Sequence, residues 1–328
     1  MKLPHHQRGV ALLIALLAVA LAVILIASLL DRGELAFART RNALRGEQAI
    51  AYAEGLEAYA SLVLQRDRDD NPNLDSFSDA WAVPLPPQQV AGGTISARMS
   101  DLNGCFNLNN LVGRHAQVWR KRLRNLLTAL ELDPSLAGTI TDWLDSDTNI
   151  DSESGAEDSA YLAQPIPYRT GNRVFAHVSE LRLVRGVDSA VYARLAPEVC
   201  ALPTDTTINV NTASTALLMS LDSRMTAVLA ERIRQDRQAH WTDVAGALNE
   251  AAEQGVEIAP PDRVGLGVTS SYFLARGEIT LDNVPFAFSS LLERVTGTAR
   301  GGIHVLQRSR GGEDIPASVL AEAFDAGR

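Results

Sequence analysis

The first strong pattern along the chain is an unbroken apolar run. Val10 to Leu30 carries no charge and one hydroxyl, Ser28. As a helix these 21 residues span about 31 Å, the thickness of a hydrocarbon core. From Asp31 to Arg66 the run gives way to an amphipathic segment with no proline. Leu35, Ala38, Leu44, Ala49, Tyr52, Leu56, Tyr59 and Leu62–Val63 recur there at spacings near three and four, the period of a helix with one packed face. Run and extension together predict a single helix about 85 Å long. Gly33, Gly46 and Gly55 weaken it by up to about 1 kcal/mol each relative to alanine.

Beyond this helix the pattern changes twice. Asp67–Gln89 is rich in Asp, Asn and Pro and reads as a loop with a short strand around Ala80–Leu85. Thr94–Leu102 alternates as a strand does, and Asn103-Gly104 is a turn signal. Residues 105 to about 268 are mostly helical in period, with helices expected at Ala116–Leu132, Ser135–Leu144, Ser179–Val184, Asp188–Leu195, Thr212–Leu221, Ser223–Gln238 and Trp241–Gln254. Alternation then returns in Ser271–Leu281, Ala287–Thr296 and Gly302–Arg308. The expected fold class is α+β: a long N-terminal helix plus an antiparallel sheet, interrupted by a large helical insertion. The corresponding segments are 1–9, 10–30, 31–104, 105–268 (the insertion), 269–310 (closing strands) and 311–328 (tail). Within the insertion there is an echo. Asn107-Leu108-Asn109-Asn110 and Asn209-Val210-Asn211-Thr212 each precede helical stretches, and helix starts follow at Val178–Leu181 and Val244–Leu248. Two related helical units are expected.

Composition narrows the function. Charged residues make up 21% of the chain and the formal net charge is -9, which disfavours a polyanion binder. The two cysteines, Cys105 and Cys200, have no metal-ligand spacing. They form one disulfide if the domain lies outside the cytosol, closing a loop that stabilises by about 4–5 kcal/mol, and are buried thiols otherwise.

The N-terminus bears on the compartment. Lys2 and Arg8 precede the apolar run, which places the N-terminus in the cytoplasm and Asp31 onward outside. A cleaved secretory signal has a shorter apolar core than this one. A plain signal anchor fits the length. A type IV prepilin signal fits length and detail together, because its peptidase cuts after a glycine that follows a basic residue and precedes the apolar run. Arg8-Gly9-Val10 supplies that junction. After such a cut Ile14 is the fifth residue, where most pilins carry a glutamate. An uncharged residue there needs no paired charge in lipid.

The densest chemical constellation is Asp142 to Asp158, with seven carboxylates in 17 residues. Clustered hard oxygens of this kind suit calcium. An EF-hand is rejected, since Ile150 stands where its glycine belongs and Ala156 where its bidentate glutamate belongs. A non-EF calcium loop using Asp145, Asp147, Glu157 and Asp158, or a plain solvated acidic loop, remains. Nothing marks a hydrolytic carboxylate pair, no nucleotide or metallopeptidase motif is present, and the histidines show no ligand spacing; the chain is expected not to be an enzyme. Ile208–Leu221 resembles the start of a helix-hairpin-helix DNA-binding unit, but its turn, Asp222-Ser223-Arg224-Met225, lacks the glycine that lets backbone amides meet phosphate. A membrane-anchored DNA-uptake protein is the alternative function; no nucleic-acid partner is expected.

Taken in order, QRGVALLIALL, DLNGCFNLNNL, TDWLDSD with GAEDSAYL, and INVNTA resemble the type II secretion system minor pseudopilin K family across most of the chain. The missing glutamate at Ile14 is similar to that family too. The resemblance implies a pilin-like domain with a helical insertion, at the tip of the pseudopilus, with a structural role in protein export. It implies cleavage by the prepilin peptidase between Gly9 and Val10, and a Cys105–Cys200 disulfide. Calcium held by Asp145, Asp147, Glu157 and Asp158 is implied, as is a heterotrimer with minor pseudopilins of the I and J types. The implied location is the bacterial inner membrane, single-pass, with the globular domain in the periplasm beside the pseudopilus and secretion machinery.

Overall fold

The computed structural model of the chain describes residues 5–150, 152, 154–295 and 302–311, with backbone only for residues 5–9. The leader with Gly9, the carboxylates of Asp151 and Glu153, and the tail 312–328 thus lie outside the residues whose surroundings are described.

The chain forms two units, residues 1–54 and 55–328. Helix α1 covers His5–Asp70 without interruption, as the period predicts. In the first unit the side chains of Val10–Leu30 stand almost uniformly exposed. Among the described residues this is the one helix long and apolar enough to cross a membrane, and it fits a single-pass anchor.

In the second unit the end of α1 buries Leu56, Ala60 and Leu64, spaced four apart on one face. They meet a five-stranded antiparallel sheet of order β1-β2-β7-β8-β9, whose strands are β1 (Leu85–Val90), β2 (Gly93–Asp101), β7 (Tyr272–Leu281), β8 (Val284–Arg294) and β9 (Ile303–Arg310). Ala60, Leu64, Trp81, Phe273, Ala275 and Leu292 form the core between helix and sheet. Gly277 permits the close approach, because a Cβ there would fall 2.8 Å from Leu56 Cδ1. Strands from before and after the helical stretch pair directly, Ile95 with Ile279 and Asp101 with Phe273. One expectation shifts. Ala80–Ala82 is a 3-10 turn, and the first strand is Leu85–Val90. Pro86 and Pro87 mask it in the sequence, yet a strand at the sheet edge tolerates residues without an N–H.

The helical stretch has its own core, centred on Phe106, Trp119, Leu126, Ile140, Trp143 and Tyr161. Helix α2 (Ala116–Ala129) presents Trp119, Leu123, Leu126 and Leu127 to it. It is followed by α3 (Leu136–Leu144), α4 (Asp158–Leu162), α5 (Ser189–Leu195), α6 (Thr215–Met219), α7 (Ala227–Arg234) and α8 (Val244–Ala252). These helices are shorter than the periodicity implies, and Ser179–Val184 is a 3-10 turn over Val178–Leu183. Two small parallel pairs went unforeseen: β3 (Phe106–Asn107) with β4 (Val199–Cys200), and β5 (Ile208–Asn209) with β6 (Leu266–Gly267). Two-residue strands carry no alternation to read.

Both Asn motifs start at these pairs. Asn107 Oδ1 accepts from Asn109 N, and Asn209 Oδ1 from Asn211 N. Asn109 then holds the backbone of Phe175 through both amide atoms. The helix starts follow three residues after Phe175 and three after Trp241, capped by His177 and Asp243.

Sheet and insertion meet at a buried polar hub. Arg294 pairs with Asp67 at 3.0 Å and with Asp75, and donates to Ser270 O. Asn209 Nδ2 donates to Ser270 Oγ at 2.8 Å, and Ser270 Oγ to Asp101 Oδ2 at 2.6 Å. Burial first, then the neighbouring Asp79 and Asp75, push the Asp67 carboxyl up to about 6 against the pull of Arg294. Burial pushes Asp101 up to about 6 against hydrogen bonds from Ser270, Thr212 and Asn103. Beside the hub, Cys105 and Cys200 are joined in a disulfide with Cα atoms 6.0 Å apart, and Cys200 packs with Leu102, Leu202 and Tyr272.

Candidate metal centre

Helix α3 ends at Leu144, and the acidic segment turns back to start α4 at Asp158. The turn brings one carboxylate oxygen each from Asp145, Asp147 and Glu157 within 4.8 Å of one another. Asp147 also shapes the loop, accepting from Asn149 N at 2.7 Å. Asp142, one helical turn before Asp145, is fully buried behind them. Gly155 makes room for it, since a Cβ there would lie 2.1 Å from Asp142 Oδ2.

Glu157 is the anomaly of the site. The residue is 4% exposed, and neither carboxylate oxygen has a hydrogen-bond partner among the described residues. Burial first, then the charges of Asp142, Asp145, Asp147 and Asp158, push its carboxyl up to about 7. A buried carboxylate among like charges is costly unless something positive meets it. The donors are oxygens alone, on a loop, which suits a hard cation of flexible coordination such as calcium. The residues present therefore fit the ion.

Of the four ligands expected from the sequence, the structure gathers three. Asp158 is engaged elsewhere: its Oδ1 accepts from Thr170 N at 3.0 Å and Thr170 Oγ1 at 2.9 Å, and Arg169 lies 3.2 Å from Oδ2. These hydrogen bonds hold its carboxyl below the usual range. Asp142 was not singled out by spacing; its position three residues before Asp145 on a helix was the available signal.

The helix-hairpin-helix resemblance acquires a different sense. Leu217, Leu218, Leu229 and Ile233 of α6 and α7 are buried in the core of the insertion. Their turn is occupied by an Asp222–Arg224 ion pair at 2.9 Å, with Arg224 also donating to Glu257 O.

Comparison with known proteins gives consistent matches. Residues 104–204 and 208–269 match two family models described as type II secretion system protein K. Both Asn motifs lie near the start of a matched segment. The chain is 37% identical over 310 residues to the type II secretion system protein K of Klebsiella pneumoniae, covering 88% of this chain and 93% of that protein. It is 35% identical over 330 residues to that of Pectobacterium carotovorum subsp. carotovorum, covering 94% and 97%. A crystal structure of the GspK-GspI-GspJ complex from the enterotoxigenic Escherichia coli Type 2 Secretion System superposes with a TM-score of 0.72 at 28% identity, covering 84% of this chain and 100% of that one.

Proposed function

We propose a role that proceeds from one premise: this chain belongs to the type II secretion system protein K family. Its function is that of a minor pseudopilin in protein export, and the family is a structural component of the secretion system. The DNA-uptake alternative has no support among the relatives.

The finer reading is that the chain sits at the tip of the pseudopilus in a heterotrimer with I- and J-type minor pseudopilins. The observation that carries it is the likeness, over 84% of this chain, to a chain of the GspK-GspI-GspJ complex. We read the role as assembly without catalysis. The helix Val10–Leu30 anchors it in the inner membrane after prepilin peptidase cuts between Gly9 and Val10. The insertion, 105–268, then lies in the periplasm, where an oxidising milieu keeps the Cys105–Cys200 disulfide. Ile14 leaves nothing to be paired by a subunit above.

We further read the acidic loop as a calcium site of Asp145, Asp147 and Glu157, with Asp142 behind them and Asp158 bracing the loop through Thr170. Calcium bound there would neutralise the clustered carboxylates. The unpartnered, buried Glu157 carboxylate supports this.

Deleting the gene in its own host tests the role. Proteins exported by the type II pathway are expected to accumulate in the periplasm and return to the medium on complementation; undiminished export in the deletion strain contradicts the reading.

A further inference from the structure

Asp67 lies in the last turn of α1, which ends at Asp70. A helix C-terminus carries partial negative charge, so a carboxylate there calls for a cation. Arg294 Nη1 supplies part of that charge, 3.0 Å from Asp67 Oδ2. The same guanidinium serves Asp75 through Nη2. A third carboxylate joins them. Asp79 stands at the N-cap of the Ala80–Ala82 turn, yet its side chain makes no cap hydrogen bond. It turns back instead, with Oδ2 accepting from Ser76 N at 2.7 Å. One carboxylate oxygen each from Asp67, Asp75 and Asp79 thereby falls within 4.8 Å of the other two.

Asp75 is the member that hydrogen bonding leaves incomplete. It is 1% exposed. Its Oδ2 meets Arg294 and accepts from Ser270 N at 2.7 Å. Its Oδ1 is buried with no hydrogen-bond partner among the described residues. A buried carboxylate oxygen without a donor is costly. The charges do not balance either, since one guanidinium serves a cluster of three carboxylates. Burial first raises the Asp79 carboxyl, and the charge of Asp75 adds to it against hydrogen bonds from Ser76. Two positive charges would balance what Arg294 leaves over, which favours a divalent ion. The donors are oxygens on a helix end and an irregular loop, which suits the loose geometry of calcium better than the strict octahedron of magnesium. Asp79 is half-buried beside the exposed Ser78, so an ion can enter from solvent.

We infer that Asp67, Asp75 and Asp79 form a calcium site between the end of α1 and the sheet. Asp75 Oδ1 gains its missing partner there. The ion ties the end of α1 to the Asp75–Asp79 loop, which Asp75 N anchors to Val268 O at 2.9 Å. The site shares no residue with the acidic loop, and it does not rest on the family assignment.

The test is equilibrium dialysis of the full-length chain in neutral detergent, at neutral pH and matched ionic strength, with bound calcium counted by atomic emission. Free calcium is held at about 5 mM, above the roughly 0.1–1 mM dissociation constants of extracellular calcium modules. Asp79→Asn is expected to bind one ion fewer per chain than the wild type, because the amide oxygen still accepts from Ser76 N but brings no charge. The same loss is expected when Asp79→Asn is added to Glu157→Gln, which separates this site from the acidic loop. Asp67→Asn serves as the second variant should Asp79→Asn not fold. Equal counts in the wild type and the folded variant, or a loss that vanishes in the Glu157→Gln background, overturn the site.

Discussion

Asn211 holds the backbone of Trp241 at both ends of one amide: Trp241 N donates to Asn211 Oδ1 at 2.8 Å, and Asn211 Nδ2 donates to Trp241 O at 3.1 Å. Asn109 does the same to Phe175. The insertion thus repeats one device, an Asn that pins the entry to a later helix. Asn211→Ala orphans two backbone groups in partly buried surroundings, at a cost of about 1–3 kcal/mol for each group left unmade. Chemical denaturation should show a loss of about 2–6 kcal/mol, and a loss below 0.5 kcal/mol contradicts the clamp.

Calcium should stabilise the chain. At a free concentration near 100 times Kd the gain is about 2.7 kcal/mol, or roughly 5–10 °C in Tm for a domain of this size. Chelation is expected to remove it. Glu157→Gln should abolish most of the calcium-dependent shift. Asp158→Asn should leave most of it, because Asp158 already accepts from Thr170 and faces Arg169. Differential scanning fluorimetry separates these outcomes.

The hub sets a pH dependence. Asp67 and Asp101 each have folded-state values raised to about 6, above the ordinary carboxyl range near 4. A group raised in this way binds its proton more readily when folded. Its contribution is therefore present in full below the unfolded value and is lost as pH rises through about 6. Stability of the chain in chelator is expected to fall between about pH 4 and 6, by an order of 1–3 kcal/mol per group. Asp67→Asn should flatten part of that slope in urea titrations at several pH values.

Processing gives a further test. Gly9→Ala should leave the leader in place, so that intact-mass spectrometry of the membrane-extracted chain finds residues 1–9 still attached. Normal cleavage of that variant would sink the prepilin reading.

Much of this was legible in the residues. The apolar run and its amphipathic sequel read out α1 because a 3.6-residue period needs no tertiary context. The alternating Ser271–Leu281 segment read out a strand for the same reason, and its central place in the sheet came only with the fold. Strand β1 was misplaced because Pro86 and Pro87 look like loop until an edge position is known. The two-residue strands at Asn107 and Asn209 were invisible as strands, although their Asn spacing marked the repeat. At the acidic loop the sequence located the cluster but not its division of labour. Whether Asp158 faces an ion or Thr170 depends on residues twelve positions away, and Asp142 entered the site only through the turn from α3 into α4. The Arg294 hub was beyond reach, since it joins Asp67, Asp75 and Asp101 from three separate elements.

The assembly itself is tested most directly by native mass spectrometry. The full-length chain, tagged and co-expressed in the envelope with the I- and J-type minor pseudopilins, is extracted in mild detergent and weighed. The account predicts one species containing a single copy of each of the three chains. Recovery of this chain alone, with both other proteins present in the same membranes, would contradict it.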